Sequence, residues 1–313
     1  MAALISALQT MGIQCDSTEN EGRLPIIVRG APFASRRVEV DADVSSQFAS
    51  ALMLALSASD EPAEIRLHGE AVSRPYLAMT VRMLAEARVR WQEPTPATWR
   101  REAGRLQAHS FQIEPDASSA GYFFALAAAT GTNAAVSGFA ADSLQADLAL
   151  LDALAEMGCE VLRTPARTEV RGAPLRGIDI NLRDAPDTAP TIAALATLAT
   201  GPTTITGIAH LRIKESDRIA AICSEASRLG ARATSGNDWL RIEPTGDLSP
   251  VVVQCHDDHR IAMAFSVVGA ARPGVSIAEP WCVAKSFDGY WSEFDRFLQH
   301  HEGSGGGPTP RDA

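Results

Sequence analysis

Apolar residues along this chain of 313 residues form a repeating helical pattern. The most hydrophobic segments consist of small apolar residues, and each is opened by acidic or hydroxyl residues. Their starts are 70 to 73 residues apart, at Asp43, Asp116, Asp187 and Asp257. Because these segments are apolar on nearly all sides, the pattern predicts helices buried within the protein.

A second kind of helix alternates with the first and has a polar face. These amphipathic segments end in Leu-Gly or Met-Gly signals at Gly12, Gly158 and Gly230. Another copy should end near position 85, where TVRMLAEARVRW carries Arg88 in place of glycine. We therefore expect this copy to lack the left-handed helix cap that glycine favours.

Short runs rich in Val, Ile and Thr, bounded by Gly or Pro, lie between the helical segments and predict strands. Each unit of about 70 residues then reads strand, buried helix, strand, amphipathic helix, strand, strand. This order predicts an α/β protein with its most apolar helices inside and its sheets outside. The alternative is an ordinary α/β protein whose segments resemble one another only in composition. In the repeat, Met1 to Gly12 is the second helix of a unit whose first half is absent, so we expect the chain to start part-way through a fold.

Composition excludes several classes of protein. The net charge of -10 argues against nucleic-acid binding, which calls for a basic surface. Five cysteines lie far apart without a C-x-x-C pair, so neither a zinc site nor a disulfide framework is indicated. The sequence has no apolar run long enough for a membrane span and no leader-like start, which predicts a cytoplasmic protein without membrane contact. Residues 298–313, Gly-rich and Pro-rich from Gly303, are predicted to form a disordered tail.

Hydroxyl and amide side chains open the first buried helix. Ser45, Ser46 and Gln47 follow the strand-like RRVEVDA. They are either plain helix caps or, with the free backbone N–H groups of a helix start, a site for anions and sugar hydroxyls.

The segment RIKESDRIA brings cations and an acid to another junction between a strand and a helix. On a helix, Lys214 and Arg218 would share one face, with Glu215 beside them. This run is either a solvated charged face or an anion site at a helix start.

Equivalent junctions carry further charges. Asp187 and Asp258 are candidate helix caps or functional acids, and His259 is a structural histidine or a site residue. Arg260 opens a wholly apolar helix and needs a partner there. Lys285 lies among apolar and aromatic residues. If the units pack about a common axis, we expect these side chains to converge.

Several segments in this order resemble one enzyme family: VSSQF, SRPY, DASSA, PDTAPTIA, GIAHLRIKESDRIAA, DDHRIAMAF and CVAKSF. They resemble the 3-phosphoshikimate 1-carboxyvinyltransferases, also called EPSP synthases. The sister UDP-N-acetylglucosamine carboxyvinyltransferases share the repeat but not the combination of KESDR with DHRIAMA. The resemblance implies an inside-out α/β barrel of repeated βαβαββ units in two domains, here residues 1–113, with incomplete first units, and residues 114–297.

The resemblance also implies roles for individual residues, with Asp187 as the base for the acceptor hydroxyl and Glu215 as the acid at the methylene carbon. Side chains expected to bind shikimate 3-phosphate or phosphoenolpyruvate are Ser45, Ser46, Gln47, Ser73, Tyr76, Asp187, His210, Lys214, Arg218, His259, Arg260 and Lys285. No metal or organic cofactor is implied. His210 stands where the family commonly has asparagine.

The implied reaction joins phosphoenolpyruvate to shikimate 3-phosphate, in the pathway to chorismate and the aromatic amino acids. The family's amino-terminal segment supplies a lysine-serine pair, an Asn-Gly stretch and an arginine, and none of these has a counterpart here. We therefore expect this chain to show little or no turnover alone. The expected sources of the segment are a longer or split reading frame, or another chain. The alternative is a degenerate member that binds ligands or assembles without catalysis.

Overall fold

The computed structural model describes residues 1–42, 45–69, 73–246 and 249–302. By its contacts the chain divides into two compact units. The first consists of Met1–Ile113 with Leu144–Ala146, and the second of Glu114–Ser143 with the chain from Asp147 onward. The assignment of these units as two enolpyruvyl-transferase domains stays a prediction.

In its described residues the first unit contains three helices and six strands. Its helices are α1 (Ala2–Thr10), α2 (Gln47–Ser57) and α3 (Arg74–Glu86), and its strands are β1 (Gln14–Ser17), β2 (Ile26–Arg29), β3 (Arg37–Asp41), β4 (Ala63–His68), β5 (Trp91–Thr95) and β6 (Thr98–Arg101). Strands β1 and β2 form an antiparallel pair, and the other four form one sheet. Alternate residues of β3 and β4 point into a core that also receives the apolar faces of α2 and α3.

The second unit contains the remaining six helices and nine strands of the described chain. The helices are α4 (Ala117–Thr130), α5 (Ala149–Glu156), α6 (Ala189–Ala196), α7 (Arg218–Arg228), α8 (His259–Ala271) and α9 (Tyr290–Glu302). The strands are β7 (Asn133–Val136), β8 (Glu160–Arg163), β9 (Thr168–Arg171), β10 (Asp179–Asn181), β11 (Thr203–Thr206), β12 (Arg232–Ser235), β13 (Trp239–Glu243), β14 (Val251–Val253) and β15 (Val275–Ile277). Short 3₁₀ turns span Ala146–Leu148, Pro186–Thr188, Ala209–Ile213 and Pro280–Lys285.

The sheet topology repeats between the units. In the first unit the strand order is β3-β4-β6-β5, and in the second it is β10-β11-β13-β12. In both sheets the first pair is parallel and the other two pairs are antiparallel. Each sheet is interleaved with two helices in the order strand, helix, strand, helix, strand, strand. The βαβαββ order expected from the sequence is therefore present twice in full.

Three apolar helices form the centre of the second unit. Helices α4, α6 and α8 pack against one another, and most of their residues are buried while none is exposed. The amphipathic helices α5 and α7 bury one face each. The prediction that the more apolar helices lie inside is confirmed for this unit. A helix without a polar face can only be stable where all sides are covered.

The ends of the amphipathic helices agree with the glycine signals, with one exception to our expectation. Gly12, Gly158 and Gly230 all have positive φ, at 84°, 112° and 103°. Arg88, which we expected to lack the left-handed cap, has φ of 67° and adopts that conformation without glycine. The prediction that this copy loses the cap is wrong. The chain keeps the turn and accepts the strain of a side chain there.

The carboxyl-terminal helix is longer than predicted. The prediction of a disordered tail is wrong for residues 298–302, which continue α9 to Glu302. The helix is held by an apolar face that includes Phe294 and Phe297 and packs on the core. Residues 303–313 lie outside the described residues, as do Asp43 and Val44 at the start of one predicted helical segment. None of the helices in the described ranges is long and apolar enough to cross a membrane.

Candidate active site in the second unit

Three junctions of the second unit bring charged side chains to one place. Asp187 lies in the turn Pro186–Thr188 that leads into α6. Arg218 is the first residue of α7, whose start is capped by Asp217 through a bond from the backbone N–H of Ala220. Asp258 caps α8 by accepting a hydrogen bond from the backbone N–H of Arg260 at 3.0 Å. All three junctions precede helices, where backbone N–H groups also favour negative charge.

Arg218 is the centre of the cluster. It is only 1% exposed, and its guanidinium contacts three carboxylates. Its Nε lies 2.7 Å from Asp258 Oδ2, its Nη1 lies 2.9 Å from Asp187 Oδ1, and its Nη2 lies 2.6 Å from Glu215 Oε2. These are charge-assisted hydrogen bonds, which are shorter and stronger than bonds between neutral groups. Arg218 therefore fixes the relative positions of all three acids.

Asp187 is shared between two arginines. Its second oxygen, Oδ2, lies 2.9 Å from Arg260 Nη2. Arg260 also donates from Nη1 to the hydroxyl of Tyr122 at 3.5 Å. The arginine in the first turn of α8 therefore has the partners that were expected from the sequence. Burial raises the pKa of Asp187, but Arg260, Arg218 and Lys214 outweigh it and hold that pKa below its ordinary value.

Glu215 is shared between Arg218 and Lys285. Lys285 Nζ lies 2.8 Å from Glu215 Oε1. Partial burial raises the pKa of Glu215, but the hydrogen bond from Lys285 and the charge of Arg218 lower it to about 2. At neutral pH this acid is a carboxylate. It becomes available as a proton donor only when its cations are drawn away.

Two buried histidines lie next to these charges, and each has one ring nitrogen without a hydrogen-bond partner in the described structure. These atoms are Nε2 of His210 and Nδ1 of His259. Burial lowers the pKa of both histidines, assisted by Lys214 for His210 and by Arg260 for His259. Both rings are therefore neutral at physiological pH, and an unpaired ring nitrogen can donate to or accept from a ligand.

The structure decides some of the alternatives left open by the sequence. The prediction that Lys214 and Arg218 share one face of a helix is wrong. Lys214 directly follows the turn Ala209–Ile213, and helix α7 begins only at Arg218. Lys214 still lies close enough to lower the pKa of Asp187. Arg218 is buried, which excludes a solvated charged face for that residue. Asp258 is a cap and an ion-pair partner at once.

The other candidate residues lie in the first unit. Ser45 Oγ accepts from the backbone N–H of Gln47 at 3.2 Å at the start of α2, as a capping serine does, while Ser46 makes no capping bond with its side chain. Ser73 precedes α3 with a left-handed backbone, φ 55°, and Tyr76 lies in the first turn of that helix. Their predicted contacts with a substrate stay a prediction.

Some members of the cluster are not among the site residues predicted from the sequence. Tyr122, on α4, contacts Arg260, and Ser216 donates to Asp258 at 3.1 Å. Asp147 accepts a hydrogen bond from Ser118 and helps to raise the pKa of Arg260. The one available signal was a single tyrosine within the otherwise apolar run of α4. In the described part of the chain, no group of three or more His, Cys, Asp or Glu side chains is arranged to hold a metal ion.

Comparison with known proteins identifies the family. The profile of EPSP synthase (3-phosphoshikimate 1-carboxyvinyltransferase) matches residues 1–294. The chain belongs to the EPSP synthase family. It is 37% identical over 300 residues to a 3-phosphoshikimate 1-carboxyvinyltransferase of Trichormus variabilis, covering 95% of this chain and 70% of that protein. It is 40% identical over 290 residues to one of Methanoculleus marisnigri, covering 92% and 68%.

Solved structures agree in fold with this member of the EPSP synthase family. EPSP synthase from Acinetobacter baumannii superposes with a TM-score of 0.76 at 24% identity, covering 95% of this chain and 70% of that chain. The enolpyruvyl transferase NikO from Streptomyces tendae superposes with a TM-score of 0.69 at 16% identity, covering 94% and 70%. The α/β fold expected from the sequence is thus that of enolpyruvyl transferases, and the chain spans about 70% of each of these structures.

Proposed function

We propose that this chain carries the catalytic carboxylates and most of the phosphoenolpyruvate site of an enzyme that transfers the enolpyruvyl group of phosphoenolpyruvate to the 5-hydroxyl of shikimate 3-phosphate and releases phosphate. The main support for this proposal is the arrangement of Asp187 and Glu215, each of which forms ion pairs with two cations. Family membership supports this reaction. In the proposal, two domains of βαβαββ units each form an inside-out barrel, and the reaction needs no metal or organic cofactor.

The cations of the cluster offer partners for anionic groups of the substrates. Phosphoenolpyruvate carries a phosphate and a carboxylate, and guanidinium forks bind such groups through paired hydrogen bonds. Arg218 and Arg260 are forks of this kind, and Lys285, with 57% of its side chain exposed, is the most accessible cation. In the proposal, His259 lies beside phosphoenolpyruvate, while Lys214 and His210 bind shikimate 3-phosphate.

Substrate binding would also activate the two acids. Arg218, Arg260 and Lys285 lower the pKa values of Asp187 and Glu215 in the ligand-free site. An anion that draws these cations to itself weakens their effect on the carboxylates, so both pKa values rise toward a range useful for proton transfer. Asp187 then takes the proton of the attacking hydroxyl, and Glu215 exchanges a proton with the methylene carbon. The tetrahedral intermediate collapses with loss of phosphate.

The remaining candidates complete the proposed acceptor site. Ser45, Ser46, Gln47, Ser73 and Tyr76 would bind shikimate 3-phosphate, with Gln47 also reaching phosphoenolpyruvate. The chain covers 70% and 68% of the two relatives described above, and the proposal gives the family's amino-terminal segment a part in substrate binding. Alone, this polypeptide is expected to show little or no turnover.

Phosphate release tests the proposal directly. Phosphoenolpyruvate is offered with shikimate 3-phosphate or with UDP-N-acetylglucosamine, to the chain alone and to the chain mixed with a separately expressed amino-terminal segment of a relative. We expect turnover of about 1 per second or more only for the mixture with shikimate 3-phosphate. Asp187→Asn should abolish it, whereas Asp152→Asn, which changes a surface acid with 76% of its side chain exposed, should not.

Other outcomes separate the alternatives. Release with the aminosugar acceptor would assign the chain to the sister activity. Binding of phosphoenolpyruvate without release in any mixture would favour a degenerate member that retains only ligand binding. Fast release by the chain alone would contradict the proposed need for a further segment.

A further inference from the structure

Two cysteines from distant parts of the sequence meet beside the charged cluster. Cys255 follows β14 by two residues, and Cys282 lies in the turn Pro280–Lys285 that follows β15. Strands β14 and β15 are parallel neighbours, with Val253 opposite Ile277. Their carboxyl ends lie at the same edge, so the two cysteines emerge side by side.

A shared acceptor shows how close the two residues are. The carbonyl oxygen of Glu279 accepts from the backbone N–H of Cys282 at 3.2 Å and lies 3.6 Å from Cys255 Sγ. The Cys255 thiol also donates to the carbonyl of Ala278 at 3.1 Å. Each thiol lies close enough to the other to shift its pKa, and both cysteines are free.

The two segments that carry the cysteines also carry site residues. Cys255 lies three residues before Asp258, and Cys282 lies three residues before Lys285. The backbone is left-handed at His256, Asp257 and Glu279, so both segments turn sharply next to the thiols. A covalent link between the sulfurs would therefore tie the turn that carries Lys285 to the start of α8.

We propose that Cys255 and Cys282 form an intramolecular disulfide when the chain meets a low-molecular-weight disulfide such as oxidised glutathione. Neither the sequence pattern nor the proposed transferase reaction assigns a role to this pair, and the proposal does not depend on that reaction. In the bridge the sulfurs must approach to about 2 Å, from two cysteines that flank the same carbonyl oxygen of Glu279.

The exchange takes place in two steps. The thiolate of Cys282, which is half-buried, attacks one sulfur of the external disulfide, breaks its S–S bond and releases one glutathione thiolate, which takes up a proton. The buried Cys255 then attacks the Cys282 sulfur of the mixed disulfide and releases the second glutathione. Two electrons and two protons pass from the protein thiols to the external disulfide.

The surroundings of the pair set the conditions for this reaction. Burial, the Cys255 thiol and the acids Asp258 and Asp257 raise the pKa of Cys282 to about 12. Since the thiolate is the attacking form, the rate of bridging should rise about tenfold for each unit of pH between 7 and 9. Reaction at neutral pH is correspondingly slow.

The test uses the full chain incubated with oxidised glutathione at pH 7 and pH 9, then alkylated and digested for peptide mass mapping. We expect a linked peptide that joins Cys255 to Cys282 and is lighter than its two parts by two hydrogen atoms. The bridge closes a loop of roughly 28 residues, so the oxidised chain should melt about 5 °C higher or more, and a dithiol reductant should reverse the shift.

Matched variants separate this pair from general oxidation. Cys223→Ser removes the other half-buried cysteine and should leave the bridge intact. Cys255→Ser should leave Cys282 as a stable mixed disulfide with glutathione, because no second thiol resolves it.

Three results would overturn the proposal, and the peptide map of the unmodified chain is enough to reveal each of them. They are a mixed disulfide at Cys282 with Cys255 still alkylatable, a bridge from Cys282 to a second chain, and no oxidation of Cys282 at pH 9.

Discussion

Replacing Arg218 with methionine should destabilise the second unit by about 3 to 5 kcal/mol at neutral pH. Methionine keeps much of the packing volume but leaves three carboxylates without this cation. Asp187 retains Arg260, and Glu215 retains Lys285. Asp258, which is fully buried, then keeps hydrogen bonds from Ser216 and a backbone N–H, and the ring of His259 at 3.9 Å, whose pKa is lowered by burial. The expected loss therefore comes mainly from one buried carboxylate without a charged partner.

The assay is urea unfolding followed by pulsed hydrogen–deuterium exchange of peptides from α6, α7 and α8, which reports the second unit separately. The matched control is Arg296→Met. Arg296 has 73% of its side chain exposed and contacts Glu293, so its loss should change stability by no more than about 0.5 kcal/mol.

Low pH supplies an independent check on the cause. In the Arg218 variant the one buried carboxylate without a charged partner favours its neutral form more than it does in the unfolded chain, so the variant should recover stability relative to the parent as the pH falls toward 4. A loss below about 1 kcal/mol at pH 7, or a loss that does not change with pH, would show that the ion network contributes no net stability and would refute this reasoning.

Two further predictions concern Glu215 and the cap at Arg88. The lowered pKa of Glu215 contributes stability above about pH 4.5 that disappears as the pH falls toward 2, so Glu215→Gln should lower the melting temperature at pH 7 and the difference from the parent should vanish near pH 2. Equal differences at both pH values would contradict this. Arg88→Gly should stabilise the first unit by about 0.5 to 1 kcal/mol in urea unfolding, because glycine removes the strain of positive φ. Gly158→Ala, at φ 112° with the carbonyl of Pro174 close by, should destabilise, and the reverse signs would exclude backbone strain as the cause.

The repeat could be predicted from the sequence because it depends on local signals. Apolar segments of fixed spacing predict the buried helices. Glycines that end an amphipathic segment predict the second kind of helix. The spacing of the repeat also predicts that Asp187 and Asp258 occupy equivalent junctions between a strand and a helix. Equivalent positions in stacked units come close together, and the structure brings those two acids onto one arginine.

Individual contacts could not be predicted, since they depend on distances between segments that are far apart in sequence. Arg218 and Asp258 are 40 residues apart, and Tyr122 is 138 residues from Arg260. The helical spacing of Lys214 and Arg218 was misleading because Asp217 caps the helix and the chain turns before it. At position 88 the absence of glycine predicted the loss of the left-handed cap. The helix before Arg88 and the strand after it nevertheless impose that conformation on the arginine.

The balance of charge in the cluster sets a condition on any anion that binds there. Arg218, Arg260 and Lys285 contact Asp187, Glu215 and Asp258, so three cations face three carboxylates. Lys214 adds one further positive charge near Asp187. A phosphate and a carboxylate together bring more negative charge than this, and excess negative charge is costly away from water. Anion binding therefore raises the pKa values of Asp187 and Glu215 unless further positive groups approach. A raised pKa makes Asp187 a stronger base for the hydroxyl proton and makes Glu215 a better-matched proton donor at neutral pH, as the proposed proton transfers require.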